Sequence, residues 1–217
     1  MRDRQPSSAA AGDDSAVLGR VQPAPGQLDD LAIGRHRAAL FVIDIQEKLC
    51  AMVPEEPRQQ LRRNVCTLIA MARRFAMPIV VSQQYPRGLG ATDPEVAAAF
   101  EGHDLLHRFD KVDFSACEAE PFAMIRESLG DDRSQWILTG IESHICVYQT
   151  ARDLVARGET VHVVRDAVAS RTRSNWQTGL ELMTRAGAVV TSTETVLFDA
   201  LGRAGSDDFK ALARLVK

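Results

Sequence analysis

Ile137-Leu-Thr-Gly-Ile-Glu-Ser-His-Ile-Cys146-Val-Tyr-Gln-Thr-Ala-Arg-Asp-Leu154 reads as a buried strand, a turn, and a helix with a cysteine on its first turn. Free N–H groups and aligned peptide dipoles at a helix start favour negative charge. A thiol held there can fall from about 8.5 to roughly 3.5–7.5, which makes it a nucleophile at neutral pH. Cysteine also serves as a small buried residue packing a helix on a sheet. The segments around this one must decide between the two readings.

Ala38-Ala-Leu-Phe-Val-Ile-Asp44 carries an apolar run from Ala39 to Ile43 that ends in a carboxylate. That pattern suits a central parallel strand with Asp44 at its C-terminal edge, the edge where open α/β sheets bind ligands. His107-Arg-Phe-Asp-Lys111-Val-Asp-Phe-Ser115 offers a lysine in what reads as a short irregular segment. Asp44, Lys111 and Cys146 are the residue types that make up a base, an orienting cation and a nucleophile. An aspartate closing a strand can equally cap a helix, and a basic loop can simply be solvated.

From Ala38 onward the punctuation alternates strand and helix. Strands are expected at Ala39–Ile43, Ile79–Ser82, Trp136–Leu138, Val161–Val164 and Ala188–Thr191. Helices are expected at Pro57–Phe75, Glu120–Leu129, about His144–Arg157, about Ser174–Ala186, and around Val196 and Lys210. Ser174 reads as an N-cap, and Gly158 and Gly187 fall where helices end. The fold class is therefore α/β, a three-layer α/β/α architecture with a mainly parallel central sheet.

Four ordered motifs carry a resemblance: Phe41-Val-Ile-Asp44-Ile-Gln-Glu-Lys, Val81-Ser-Gln-Gln-Tyr-Pro-Arg-Gly-Leu-Gly90, Lys111-Val-Asp-Phe-Ser115 and Thr139-Gly-Ile-Glu-Ser-His-Ile-Cys146-Val. With these the chain resembles the isochorismatase-like cysteine hydrolases over about residues 37–217, and among them the isochorismatase domain-containing proteins. The likeness continues through Val161–Arg171 and Val189–Val196.

The resemblance implies that Cys146 is the nucleophile, that Asp44 takes its proton, and that Lys111 holds thiolate and carboxylate in register. It implies a cis peptide at Ile141–Glu142 and an oxyanion hole made by the backbone N–H groups of Glu142 and Cys146. Gln84 and Tyr85 would line the substrate pocket, with Leu89 beside them; read without the resemblance, the same segment is a turn set by Pro86, Gly88 and Gly90. Some amidases of this superfamily hold a divalent ion through an aspartate and two histidines. Here Ile45 and Gln46 follow Asp44, and Gln84 and Tyr85 stand where histidine would be. The expectation is thus no metal and no cofactor, an amide- or ureide-like C–N bond in a small-molecule substrate, and a homo-oligomer, dimer or tetramer. His103 and His107 are spaced i, i+4, but Gly102 and Asp104 beside them do not support a helix that would pair them on a metal. A different class, a binding or thiol-redox protein that keeps the fold and the cysteine, stays open.

Composition sets the frame. The chain has 217 residues, 45% hydrophobic and 25% charged, enough for one domain with a substantial core plus a tail. A net charge of −3 gives no reason to expect nucleic acid or an anionic membrane as partner. Arg58-Gln-Gln-Leu-Arg-Arg63 alternates with Leu61, Val65, Leu68 and Ala72 at helical spacing, the wet face of an amphipathic helix. Cys50, Cys66, Cys117 and Cys146 form no CxxC pair, which with the lack of a secretory or spanning apolar segment suggests the cytoplasm. Residues 1–34, rich in Ala, Ser, Gly, Pro and Asp, read as a flexible tail, and 35–217 as the hydrolase-like domain. Phe209, Leu212 and Leu215 form a narrow apolar stripe that suits either a subunit interface or the chain's own core.

Overall fold

A computed structural model describes residues 28–216; the expected tail up to residue 27 lies outside the described residues. Among the described residues six strands form one sheet: β1 (Ala38–Ile43), β2 (Ile79–Gln84), β3 (Leu106–Lys111), β4 (Gln135–Ile141), β5 (Thr160–Ala169) and β6 (Val189–Thr191). Their order is β3-β2-β1-β4-β5-β6 and every pairing is parallel. Connections run outward in one direction from β1 and in the other from β4, so the sheet reverses its winding between these two central strands.

β1 is buried along its whole length, and its side chains divide between two cores. Leu40 and Val42 pack beneath α1 (Glu47–Met52), α2 (Glu55–Arg74), α8 (Thr193–Leu201) and α9 (Asp207–Leu212). Phe41 and Ile43 point to the opposite face, under α5 (Glu120–Leu129), α6 (Tyr148–Ala156) and α7 (Arg173–Ala186). That period-two division is what a strand covered on both faces requires. On the second face Phe41 and Phe122 stack and Trp136 lies tilted against both, with centroids 5.5–5.7 Å apart. The remaining short helices are α3 (Pro86–Leu89) and α4 (Pro94–Ala99).

Several expectations need correction. Lys111 does not sit in an irregular segment; it is the last residue of β3. This edge strand alternates exposed Arg108 and Asp110 with buried Phe109 and Lys111, so it lacks the continuous apolar signature of its neighbours. Gln84 likewise ends β2 and is not in the loop beyond it. The N-cap of α7 is Thr172, whose Oγ1 accepts from the Asn175 N–H at 3.1 Å, and Ser174 lies inside the helix. The C-terminal stripe belongs to the chain's own core for Leu212, which is buried, and Phe209, whose ring meets Phe198; only Leu215 is exposed. Residues 32–34, which composition groups with the tail, are tied down by the fully buried Gln135, whose side chain accepts from the Gly34 N–H at 2.8 Å and donates to the Ala32 carbonyl at 3.0 Å.

Two glycines admit close backbone approach where the site is built. Gly140 has φ of 140°, and a Cβ there would stand 2.2 Å from the Ile43 carbonyl oxygen, so the β4 backbone presses directly on the end of β1. At Gly179 in α7 a Cβ would come within 2.6 Å of the Ser143 backbone. Any side chain at either position must displace main chain next to the site.

Candidate active site

Asp44 follows β1 with φ of 52°, a left-handed conformation uncommon for a residue other than glycine. Its N–H stays bound to the Ser82 carbonyl at 3.1 Å, so the chain bends while the side chain turns inward and becomes fully buried. Both carboxylate oxygens are engaged. Ser82 Oγ donates to Oδ1 at 2.7 Å, and Lys111 Nζ donates to Oδ2 at 2.7 Å.

The Lys111 ammonium is itself fully buried. Besides Asp44 it reaches Gln84 Oε1 at 2.6 Å and the carbonyls of Asp113 and Phe114 at 3.2 Å each. Four acceptors thus surround three protons, and a charge that would be prohibitive alone is compensated. Gln84, expected to line the substrate pocket, has both ends of its carboxamide occupied within the protein. Its Oε1 takes the Lys111 proton and its Nε2 donates to the Val112 carbonyl at 2.6 Å. It forms the floor under Lys111, and Gln46 locks it there, accepting from the Gln84 N–H at 2.7 Å and donating to its carbonyl at 3.0 Å. Tyr85 is 55% exposed and borders, with Lys111, Asp113 and Glu118, a cleft of about 490 Å³.

Cys146 lies in a π-helical turn, Ser143–Val147, that precedes α6. Asp44, Lys111 and Cys146 come together at the C-terminal edge of the sheet, Asp44 after β1, Lys111 at the end of β3 and Cys146 after β4. The thiol is 6% exposed and close enough to Asp44 and Lys111 that both act on it. The expectation of a depressed thiol pKa is overturned: burial, then the Asp44 carboxylate, push it up to about 12, and the Lys111 charge does not make up the difference. The helix-start argument fails because desolvation and a facing anion both oppose the thiolate. At rest the sulfur keeps its proton and faces a carboxylate able to take it.

Asp44→Asn removes a cause that raises the thiol pKa while the Lys111 charge remains. The variant's thiol is therefore expected to ionise below about 12, followed through the ultraviolet absorbance of the thiolate as a difference from the Cys146→Ala protein. The subtraction is needed because burial also raises Cys50 and Cys117 to about 12 and Cys66 to about 11. An unchanged or higher midpoint would show that Asp44 does not face the thiol.

The Ile141–Glu142 peptide is cis. The Glu142 N–H donates to no acceptor among the described residues, while the Glu142 carbonyl accepts from Ile145 and Val147 at 3.0 and 3.3 Å. Its side chain is buried and held by Arg171, whose Nη2 reaches Oε1 at 2.6 Å. Sequence reasoning overlooked Ser82, Gln46 and the pair Ser170–Arg171. The one available signal was a hydroxyl ending the apolar run Ile79-Val-Val-Ser82.

Among known proteins, the model of the isochorismatase domain matches residues 38–195. A protein of Phytophthora sojae described as a secreted isochorismatase effector is 35% identical over 182 residues, 84% of this chain and 85% of that protein. The structure of the MAR1 ribonuclease of Caenorhabditis elegans superposes with a TM-score of 0.77 at 34% identity, covering 85% of this chain and 92% of that one. The Escherichia coli ycaC product, described as an octameric hydrolase of unknown specificity, also gives 0.77, at 23% identity over 85% and 89% of the two chains.

Proposed function

The chain belongs to the isochorismatase family, and on that premise we propose that it is a metal-independent cysteine hydrolase acting on an amide- or ureide-like C–N bond of a small molecule. One arrangement carries the reading: the buried Cys146 thiol stands near enough to the Asp44 carboxylate to be pushed up by it, and Ser82 and Lys111 fix that carboxylate from both sides.

Cys146 Sγ attacks the carbonyl carbon as Asp44 takes its proton. The oxygen that becomes negative is met by the N–H of Glu142, which has no acceptor among the described residues, and by that of Cys146. Asp44 then gives the proton to the leaving nitrogen, the amine departs, and a thioester remains on Cys146. Water attacks the thioester with Asp44 again as base, which releases the acid and restores the thiol. Lys111 holds the Asp44 carboxyl in place through both half-reactions. The donor set argues against a metal role for these residues. Asp44 already shares one oxygen with Ser82 and the other with the Lys111 cation, and the Gln84 carboxamide is bound at both ends.

The thiol-redox reading is disfavoured, since redox-sensing cysteines combine low pKa with exposure and Cys146 has neither. Asp110, Asp113, Glu118 and Glu120 line the cleft beside Lys111, against Arg87 as the one other cation there. Together with the net charge of −3, that acidic surface supports a small-molecule substrate over nucleic acid. No helix among the described residues is long and apolar enough to cross a membrane. The reading includes a homo-oligomer, which the octameric Escherichia coli relative supports. It also includes a cytoplasmic setting suited to four free thiols, although one relative is described as secreted.

Exposing the protein to a metabolite extract and analysing it by mass spectrometry is expected to reveal an acyl adduct on Cys146 that disappears on further incubation. Sulfenic acid or a disulfide at Cys146 with no acyl adduct would overturn the hydrolase reading. The mass of the acyl group would identify half of the substrate.

A further inference from the structure

The turn joining β5 to α7 grips the nucleophile turn through two consecutive residues. Ser170 Oγ lies 2.6 Å from Ser143 Oγ and 3.1 Å from His144 Nδ1. Arg171 holds Glu142 more extensively. Its Nε donates to Oε2 at 3.1 Å, its Nη2 to Oε1 at 2.6 Å, and its backbone N–H to Oε2 at 3.0 Å. The Glu142 side chain is 4% exposed, whereas that of Arg171 is half exposed. A carboxylate is buried at a cost unless it is paired and hydrogen bonded, so this arrangement fixes Glu142 in space. Burial by itself would raise the Glu142 carboxyl; the Arg171 hydrogen bonds and charge bring it below its ordinary range. The residue so fixed is the one whose backbone N–H has no acceptor among the described residues.

We propose that Arg171 is a positioning residue which, through its fork on the Glu142 carboxylate, aims the Glu142 N–H at the oxygen that becomes negative during acyl transfer. This inference rests on the hydrolase reading. Arg171 touches neither the thiol nor Asp44, so its effect is confined to steps in which an oxyanion forms.

The test compares two reactions of Cys146 in the full-length protein. With p-nitrophenyl acetate the Sγ–acyl bond forms, the ester C–O bond breaks, p-nitrophenolate leaves and Asp44 takes the thiol proton; an oxyanion forms on the way. With iodoacetamide the same sulfur displaces iodide from a saturated carbon and no oxyanion forms. Arg171→Ala is expected to slow acylation about 10- to 100-fold, the scale on which misplacing a catalytic group acts, and to leave alkylation unchanged. Arg171→Lys keeps the charge but not the planar fork, so it should recover only part of the loss. Glu142→Gln supplies a second variant that breaks the pair while keeping the side chain's shape. Equal slowing of both reactions in these variants would show a merely structural role and overturn the inference, as would acylation at the wild-type rate. Failure of the wild-type protein to acylate at Cys146 is a separate result. It would overturn the hydrolase reading and the inference with it.

Discussion

Lys111→Met is expected to cost about 3–5 kcal/mol of folding stability, the range for removing one partner of a buried ion pair, and to abolish acylation at Cys146. The ammonium and the Asp44 carboxylate are both fully buried, 2.7 Å apart. Methionine fills a similar volume but leaves Asp44 Oδ2 and Gln84 Oε1 facing an apolar group, together with the Asp113 and Phe114 carbonyls. The buried carboxylate then has no cation to compensate or orient it, and it is no longer held as a base for the thiol. Urea denaturation gives the stability, and the p-nitrophenolate burst gives the chemistry. If the pair is what matters, Lys111→Met with Asp44→Asn should be more stable than Lys111→Met alone, because no lone charge remains. A Lys111→Met protein as stable as the wild type, or one that still acylates, would contradict the assignment.

Cys146→Ala should eliminate turnover of any true substrate by a factor on the order of 10⁶, as for nucleophiles that act as part of a unit. The fold should survive, since the thiol belongs to the core beneath α5, α6 and α7 only through a small sulfur. Cys146→Ser is the sharper variant. It preserves size and polarity, but a hydroxyl is a weaker acid than a thiol and Asp44 should not activate it. Retention of turnover in either variant, measured against the substrate identified from the acyl adduct, would place the chemistry elsewhere. A dead protein that still melts cooperatively near the wild-type temperature is the expected result.

The central strands were legible in the sequence because burial on both faces imposes a continuous apolar run, as in Ala39–Ile43 and Trp136–Leu138. β3 was not, since an edge strand alternates polar and apolar residues and Lys111 disguises its own buried position. β5 runs to Ala169, well past the expected Val164, because Arg165 and Asp166 interrupt the apolar pattern without ending the strand. Asp44, Lys111 and Cys146 could be named as candidates from their local motifs and the family resemblance, and the fold brings them to one edge of the sheet. The state of the thiol could not, because it depends on how near Asp44 stands, and residues 44 and 146 meet only through the sheet. The same applies to Arg171, whose partner Glu142 lies on a different loop.

The reversal of winding between β1 and β4 separates the chemistry along the chain. The proposed base and cation, Asp44 and Lys111, precede the link at residues 130–132, which is exposed; the proposed nucleophile and oxyanion donors, Cys146 and Glu142, follow it. Each side of that link carries three strands that are neighbours in the sheet, joined to the other side by the register from Ala38–Gln135 to Ile43–Gly140. Cut there, the protein would become two inert fragments, one holding the acid–base pair and the other the sulfur. The proposed activity would return only when they reassociate along that seam and re-form the packing of α2 on β5, α8 and α9, so the molecule contains a natural division for fragment complementation.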